Sequence, residues 1–295
     1  MHQAPFEAPP SLPAWHARDD SGPDLVMGLA AGYHYGDVRP FVRSLEETGF
    51  SGHCVLFVSP TTRGLQEIAA HGVRLIPFER AAPCTHLPYN ALRYTLYRDY
   101  LASASCRYRR ILITDVRDVV FQHNPFDFRW AAGINVTLED RRMSIGRCPY
   151  MTRWITGHLG DDALRSLHAQ PISCSGTTAG CHSGMTAYLQ LMLDRLLPFV
   201  PANGMVGYDQ GVHNFLLHSG ILARTMPVTV HDNTGPVLTL GYVEGTPPHD
   251  EQGHVAPLPH AERPPYIVHQ YDRKPELFRA LRARYAPPRK HRSGR

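Results

Sequence analysis

No stretch of this 295-residue chain approaches the apolar length of a membrane-spanning helix. It also lacks a basic segment followed by an apolar run near its start, so no secretory signal is expected. The six cysteines (Cys54, Cys84, Cys106, Cys148, Cys174 and Cys181) form no CxxC pair and keep no regular spacing. That argues against a structural zinc site or a disulfide framework and fits reduced thiols in a cytoplasmic protein. Cys54 and Cys174 fall inside expected strands, where cysteine acts as a small apolar residue. Charge of one sign is also scarce, with a formal net charge of +4, and no nucleic-acid partner is expected. Repeats and internal linkers are missing as well.

What is present is a globular composition, 43% hydrophobic and 19% charged, long enough for one large α/β domain. Residues 1 to 22, with Pro5, Pro9, Pro10 and Pro13, read as a flexible leader, and residues 23–285 as the domain. Residues 286–295, from Pro287-Pro288 into Arg289-Lys290-His291-Arg292, read as a basic disordered tail. That tail leaves peripheral contact with the inner face of an acidic membrane open.

Strand and helix patterns alternate through the first half. Strands are expected at Asp24–Ala30, His53–Val58 and Val73–Phe78, with a helix capped by Asp37 and stopped at Gly49, and another from Thr61 to His71. Tyr89–Ser103 reads as a helix whose stripe is Leu92, Leu96, Tyr97 and Tyr100, with Arg93 and Arg98 off it. Such alternation implies a mainly parallel sheet with right-handed crossovers. Later come a strand at Gly133–Glu139, a short helix from Asp161, and a strand Pro171-Ile172-Ser173-Cys174-Ser175-Gly176 entering a turn of small residues. Helices at Met185–Leu197 and Tyr208–His218 follow, and then a short-stranded, proline-rich region runs to Ile267-Val268-His269.

The most informative stretch is Ile111-Leu112-Ile113-Thr114-Asp115-Val116-Arg117-Asp118-Val119-Val120-Phe121. A continuous apolar strand, buried on both faces, delivers two carboxylates to its carboxyl end, where ligands bind in open α/β sheets. Carboxylate oxygens there suit Mg2+ or Mn2+ held against a phosphate. The structural alternative is a turn in which Asp115 caps the backbone and Asp118 pairs with Arg110 or Arg117.

Taken with Ser173, the Asp209 helix start and His269, these residues make the chain resemble glycosyltransferases of the GT-A fold over roughly residues 24 to 275. The resemblance implies a single domain with a Rossmann-like nucleotide-binding half and an acceptor half. It also implies a DXD-type motif that holds a divalent cation, Mn2+ or Mg2+, on a nucleotide-sugar. Here Arg117 stands where the second acid of that motif usually lies, and Asp118 follows it. Either Asp115 and Asp118 share the cation, or Asp115 holds it while Arg117 grips a phosphate. His269 is implied as a third ligand, and Gly32, Tyr33, Asn90 and Arg93 as nucleotide contacts. Glu139, Ser175, Gly176, Thr177, Asp209 and Gln210 are implied near the donor or acceptor sugar. Asp209 would be a base or a stabiliser of the sugar cation, or else only a helix cap. The acceptor would be a saccharide, a lipid-linked saccharide or a protein.

Two other readings compete. A nucleotidyltransferase would want a basic Gly-rich loop after the first strand, but Ala31-Gly32-Tyr33-His34-Tyr35-Gly36 carries no lysine. A non-catalytic sugar- or nucleotide-binding module of the same fold would keep the architecture without the reaction.

Overall fold

The computed structural model describes residues 22–80, 84–199 and 201–286. The leader up to residue 21 and the tail from 287 onward lie outside the described residues. The chain opens with β1 (Leu25–Leu29), α1 (Tyr35–Glu47), β2 (His53–Val58), α2 (Leu65–Ala69) and β3 (Arg74–Pro77). Next come α3 (Tyr89–Ser103), β4 (Arg110–Thr114), β5 (Val119–Phe121), β6 (Ile134–Leu138), α4 (Pro149–Leu159) and α5 (Asp161–Leu167). After them stand β7 (Ser173–Cys181), α6 (His182–Leu196), α7 (Tyr208–His218) and α8 (Ile221–Thr225). The chain closes with β8 (Val228–His231), β9 (Val237–Thr239), β10 (Ile267–His269) and α9 (Pro275–Arg284).

A seven-stranded sheet in the order β3-β2-β1-β4-β7-β6-β8 forms the centre. Its strands are parallel except β7, which runs against both β4 and β6. Alternation along the central strands feeds two cores. Leu25 and Met27 of β1 and Ile111 and Ile113 of β4 pack under α3, α6 and α7. Val26 and Leu112 point the other way, toward α1 and a three-stranded sheet ordered β5-β10-β9. This α/β frame is the one the alternating pattern predicts.

The topology places a crevice. From β1 the chain steps outward to β2 and β3, then returns to add β4 on the other side of β1. The carboxyl ends of β1 and β4 therefore flank a switch point, where departing loops diverge and leave room for a ligand.

Several local expectations need correction. The helix expected from Thr61 to His71 shortens to α2, because the turn at Thr61–Gly64 fastens the β1 loop instead: Thr62 Oγ1 donates to the Ala30 carbonyl at 2.7 Å, and Gly64 turns through φ +75 into the helix. Asp37 does not cap α1. His34 is the N-cap, and Asp37 sits three residues on, its carboxylate accepting the His34 amide at 3.3 Å in a capping box. The turn expected after Gly176 does not form: β7 continues buried to Cys181, with Thr177–Cys181 paired to β4 and its register against β6 shifting between Ser173 and Thr178. Helices α4, α8 and α9 have no counterpart in the expectations above, whereas β10 falls at the end of the short-stranded region, at Ile267–His269. No helix among the described residues is long and apolar enough to cross a membrane.

Candidate functional site

The crevice is a cleft of about 600 Å3 whose walls include Tyr33 after β1, Asn90 and Arg93 of α3, and Asp115, Arg117 and Asp118 after β4. Glycine at position 28 helps set the depth of the acidic turn. A Cβ there would strike the Val116 side chain, which instead lies down on β1 and anchors the turn's centre. Gly32 adopts φ +75 and donates its amide to Ser59 Oγ at 2.9 Å, so the wall is made by Ala31 and Tyr33 beside it.

Three strands converge on the turn. The Asp115 amide donates to the Gly176 carbonyl of β7 at 2.7 Å, and the Gln270 amide donates to the Asp118 carbonyl at 2.8 Å. The antiparallel pairing of β5 with β10 sets His269 opposite Val119, immediately beside Asp118. Tyr271 completes the clamp, its hydroxyl donating to the Arg117 carbonyl at 3.0 Å. Gln270 turns through φ +58 to make this junction, an uncommon conformation for a residue with a side chain.

His269 Nε2 therefore lies 3.3 Å from Asp115 Oδ2 and 3.8 Å from Asp118 Oδ1. The three candidate donor atoms fall within 4.8 Å of one another. The imidazole is 1% exposed, and its Nε2 has no well-formed hydrogen bond, a rare state for a buried polar atom. Nδ1 lies 3.6 Å from Cys174 Sγ, which fixes the ring with Nε2 toward the carboxylates. A Cβ at Gly176 would collide with both Asp115 and His269, so glycine there keeps the space between them open. An orphaned nitrogen, two carboxylates and a hollow that only glycine allows are features that fit a divalent cation. The structural alternative for Asp118, pairing with Arg110 or Arg117, is not what the structure adopts.

Behind the turn lies Arg93, 6% exposed. Its guanidinium bonds Asp115 through one nitrogen and Asp209 through the other, the latter at 2.9 Å. The expectation that Arg93 sits off the buried face of α3 is thus overturned. Its spacing of four from Tyr97 and seven from Tyr100 was the available signal. Burial opposes the charge on Arg93, but Asp115 and Asp209 more than restore it, and its pKa is raised. Asp209 does not cap α7, whose N-cap is Gly207 with no side-chain bond. It sits in the first turn, 2% exposed, and accepts a hydrogen bond from Ser175 Oγ at 3.2 Å.

Burial pushes the Asp115 carboxyl up, yet Arg93 and His269 outweigh it and hold Asp115 below the ordinary carboxylate range. Asp118 has no such counterweight: burial, with Asp115 and Asp272 nearby, raises it to about 6 despite His269. Burial alone would strip the proton from His269, but Cys174 and the two carboxylates raise its pKa well above the usual imidazole value. Asp115, Asp118 and Asp209 thus share two buried basic groups, the Arg93 guanidinium and the His269 imidazole.

Of the other expected residues, Glu139 is buried and accepts from Gln210 Nε2 at 2.9 Å, and Thr177 pairs with Thr114 inside the sheet. Arg117 is exposed at the rim. Arg80, whose guanidinium caps the Tyr89 ring at 3.8 Å, and Arg273 also line the cleft, and neither was anticipated. Nor was Cys174 anticipated as a partner of His269. The chain matches no known family model and none of the curated proteins.

Proposed function

We propose that this protein is a GT-A-type glycosyltransferase that moves a sugar from a nucleotide-sugar to an acceptor hydroxyl, assisted by Mn2+ or Mg2+. One observation carries the reading: the switch-point cleft ends at two carboxylates and a buried imidazole whose free nitrogen faces them. Asp115, Asp118 and His269 would hold the cation, and the imidazole tips the donor set toward Mn2+ over Mg2+. When bound, the cation would neutralise the charge that develops on the departing diphosphate.

The chain's own residues supply the rest. Tyr33 offers an aromatic contact to a nucleobase, with Tyr89 beside it under the Arg80 guanidinium, and Arg117, exposed at the rim, extends a bidentate fork toward phosphate. Arg93 neutralises part of the acidic cluster and fixes Asp115 in one rotamer. Asp209, shielded behind Arg93 and Ser175, acts as a positioning residue that orients the guanidinium.

Isothermal titration with UDP and with GDP, each with and without Mn2+, tests the reading. Binding of one nucleotide should weaken at least about 100-fold in EDTA, and likewise in Asp115→Asn, which can still hydrogen-bond Arg93. Equal affinity in EDTA, or no binding of either nucleotide with Mn2+, would overturn it.

A further inference from the structure

A second pocket, of about 410 Å3, opens beside the acidic cluster and shares Arg273 with the first cleft. Its walls are Tyr150 and Trp154 of α4, with ring centroids 5.9 Å apart, and Tyr242 opposite them. Its floor is polar, made of Glu139, Gln210 and Gln270. The floor residues are chain neighbours of the site: Gln210 follows Asp209, and Gln270 follows His269.

The chemistry of this pocket is divided. Tyr150 is 57% exposed, its ring tilted against that of Trp154. Glu139, by contrast, is 2% exposed, yet one carboxylate oxygen is bound by Gln210 Nε2 and the side chain still borders the pocket. The Tyr242 hydroxyl is tied to Cys148 Sγ at 2.9 Å, which fixes its ring as a wall. A pyranose divides in the same way, with an apolar face of C–H groups and a rim of hydroxyls that donate and accept. Apolar ring walls answer the first, and a carboxylate flanked by two carboxamides answers the second.

We infer that the pocket between α4 and residues 241–242 binds a pyranose, the terminal sugar of a saccharide acceptor, with Glu139 receiving its hydroxyls and Tyr150 covering its apolar face. The pocket's place as acceptor site rests on the glycosyltransferase reading, whereas its affinity for sugar does not. The bound hydroxyls would then lie one residue along the chain from Asp209 and His269, through Gln210 and Gln270. Glu139 and Gln210 are thereby placed at the acceptor, and the donor sugar is left to the space beside Asp115.

Saturation-transfer NMR with methyl β-D-glucopyranoside, methyl β-D-galactopyranoside and methyl α-D-mannopyranoside tests this on the full chain, alone and saturated with Mn2+ and UDP. Cyclohexanol, which has the apolar ring without the hydroxyl rim, serves as the comparison probe. At least one glycoside should bind more tightly than cyclohexanol. Glu139→Gln should weaken it about tenfold, the scale of one hydrogen bond to a charged group. Tyr150→Ala, at an exposed position that folding does not need, should weaken it several-fold. Binding of none of the three glycosides in either state would overturn the assignment. So would cyclohexanol binding equally well, or glycoside binding that both variants leave intact. Glycosides that bind while UDP does not would sink the donor reading and leave the sugar pocket standing. UDP that binds while no glycoside does would have the reverse meaning.

Discussion

Strand β7 separates two buried histidines that the chain treats in opposite ways. Ser173 and Cys174 are adjacent, so their side chains leave opposite faces of the sheet. On the Ser173 face, His213 is fully buried, with the Tyr188 hydroxyl at Nδ1 (2.8 Å) and Ser173 Oγ at Nε2 (2.9 Å). Both nitrogens are satisfied by neutral partners, and burial drives the pKa of His213 down to about 3. On the Cys174 face, His269 is equally buried, yet its Nε2 faces two carboxylates with no well-formed bond. One histidine is a finished piece of core, and the other turns a ring nitrogen toward two carboxylates. Burial alone therefore does not distinguish the two; the state of the second ring nitrogen does.

Arg93 links the two faces, bonding Asp115 on one side and the Asp209–Ser175 pair on the other. Its removal should break the comparison most severely. Arg93→Met keeps the buried length but leaves the buried Asp209 without a counter-charge and Asp115 with His269 alone, at a cost of about 3–5 kcal/mol. Urea denaturation measures this. A loss under about 1 kcal/mol would mean that the ion triad is not a structural junction. Asp209→Asn should cost less, about 2 kcal/mol, because Asp115 still compensates Arg93. Were Asp209 a helix cap, the same change would be nearly silent, since asparagine caps as well as aspartate.

The two histidines also predict opposite responses to a single substitution. For His213 the folded pKa is about 3, below the ordinary 6.5 of the unfolded chain. Its neutral ring therefore stabilises the fold fully above pH 6.5. That contribution falls away as the pH drops toward 3, with a slope of up to about 1.4 kcal/mol per pH unit. Asp118 acts the other way, since its pKa raised to about 6 favours the fold at acid pH and loses that effect as pH rises from about 4 to 6. Comparing wild type with His213→Gln cancels the Asp118 part. The variant should lose about 2 kcal/mol at neutral pH, by orphaning Tyr188 and Ser173, and should have a flatter acid limb. Its Mn2+ affinity should not change. His269→Gln should instead keep most of the stability and lose Mn2+ binding, read by electron paramagnetic resonance. Loss of Mn2+ binding in the His213 variant, or its retention in the His269 variant, would dissolve the contrast between the faces.

Much of the frame was legible because local pattern and tertiary environment agree there. The helix at Tyr89–Ser103 and the strand at His53–Val58 keep the boundaries that their apolar spacing predicts. The acidic turn was legible too, because a two-face-buried strand ending in carboxylates is a strong local signal. The second half hid more. The strand from Pro171 reads as ending in a turn after Gly176 because small residues weaken strand propensity, yet pairing with β4 from Thr177 onward carries β7 to Cys181. Glycine at 176 is set by the Asp115 and His269 atoms beside it, a constraint from across the sheet with no trace in neighbouring residues. The roles of Arg93 and Asp209 were hidden for the same reason, since their partners are 22 and 116 positions from Arg93 along the chain. Cys174 looked like filler, and only the position of β10 makes it the partner of His269.

The mildest change tests whether the acidic rim works as the donor site that the His269 face implies. Arg117 is exposed beside Asp115 and has no ion pair among the described residues, in contrast to Arg93, which is consumed by two. An exposed arginine without a partner contributes little to folding, so Arg117→Ala should shift stability by no more than about 0.5 kcal/mol. If its fork meets a diphosphate, the same variant should bind UDP with Mn2+ about tenfold more weakly. Arg117→Lys keeps the charge but loses the paired donors, and should recover only part of that loss. The deficit should shrink as salt is raised, because a rim charge is screened where a buried one is not. Full recovery in the lysine variant would mean that Arg117 contributes charge alone. An alanine variant with unchanged affinity at low salt would place the diphosphate away from this rim, nearer Arg80 or Arg273 on the other walls of the cleft.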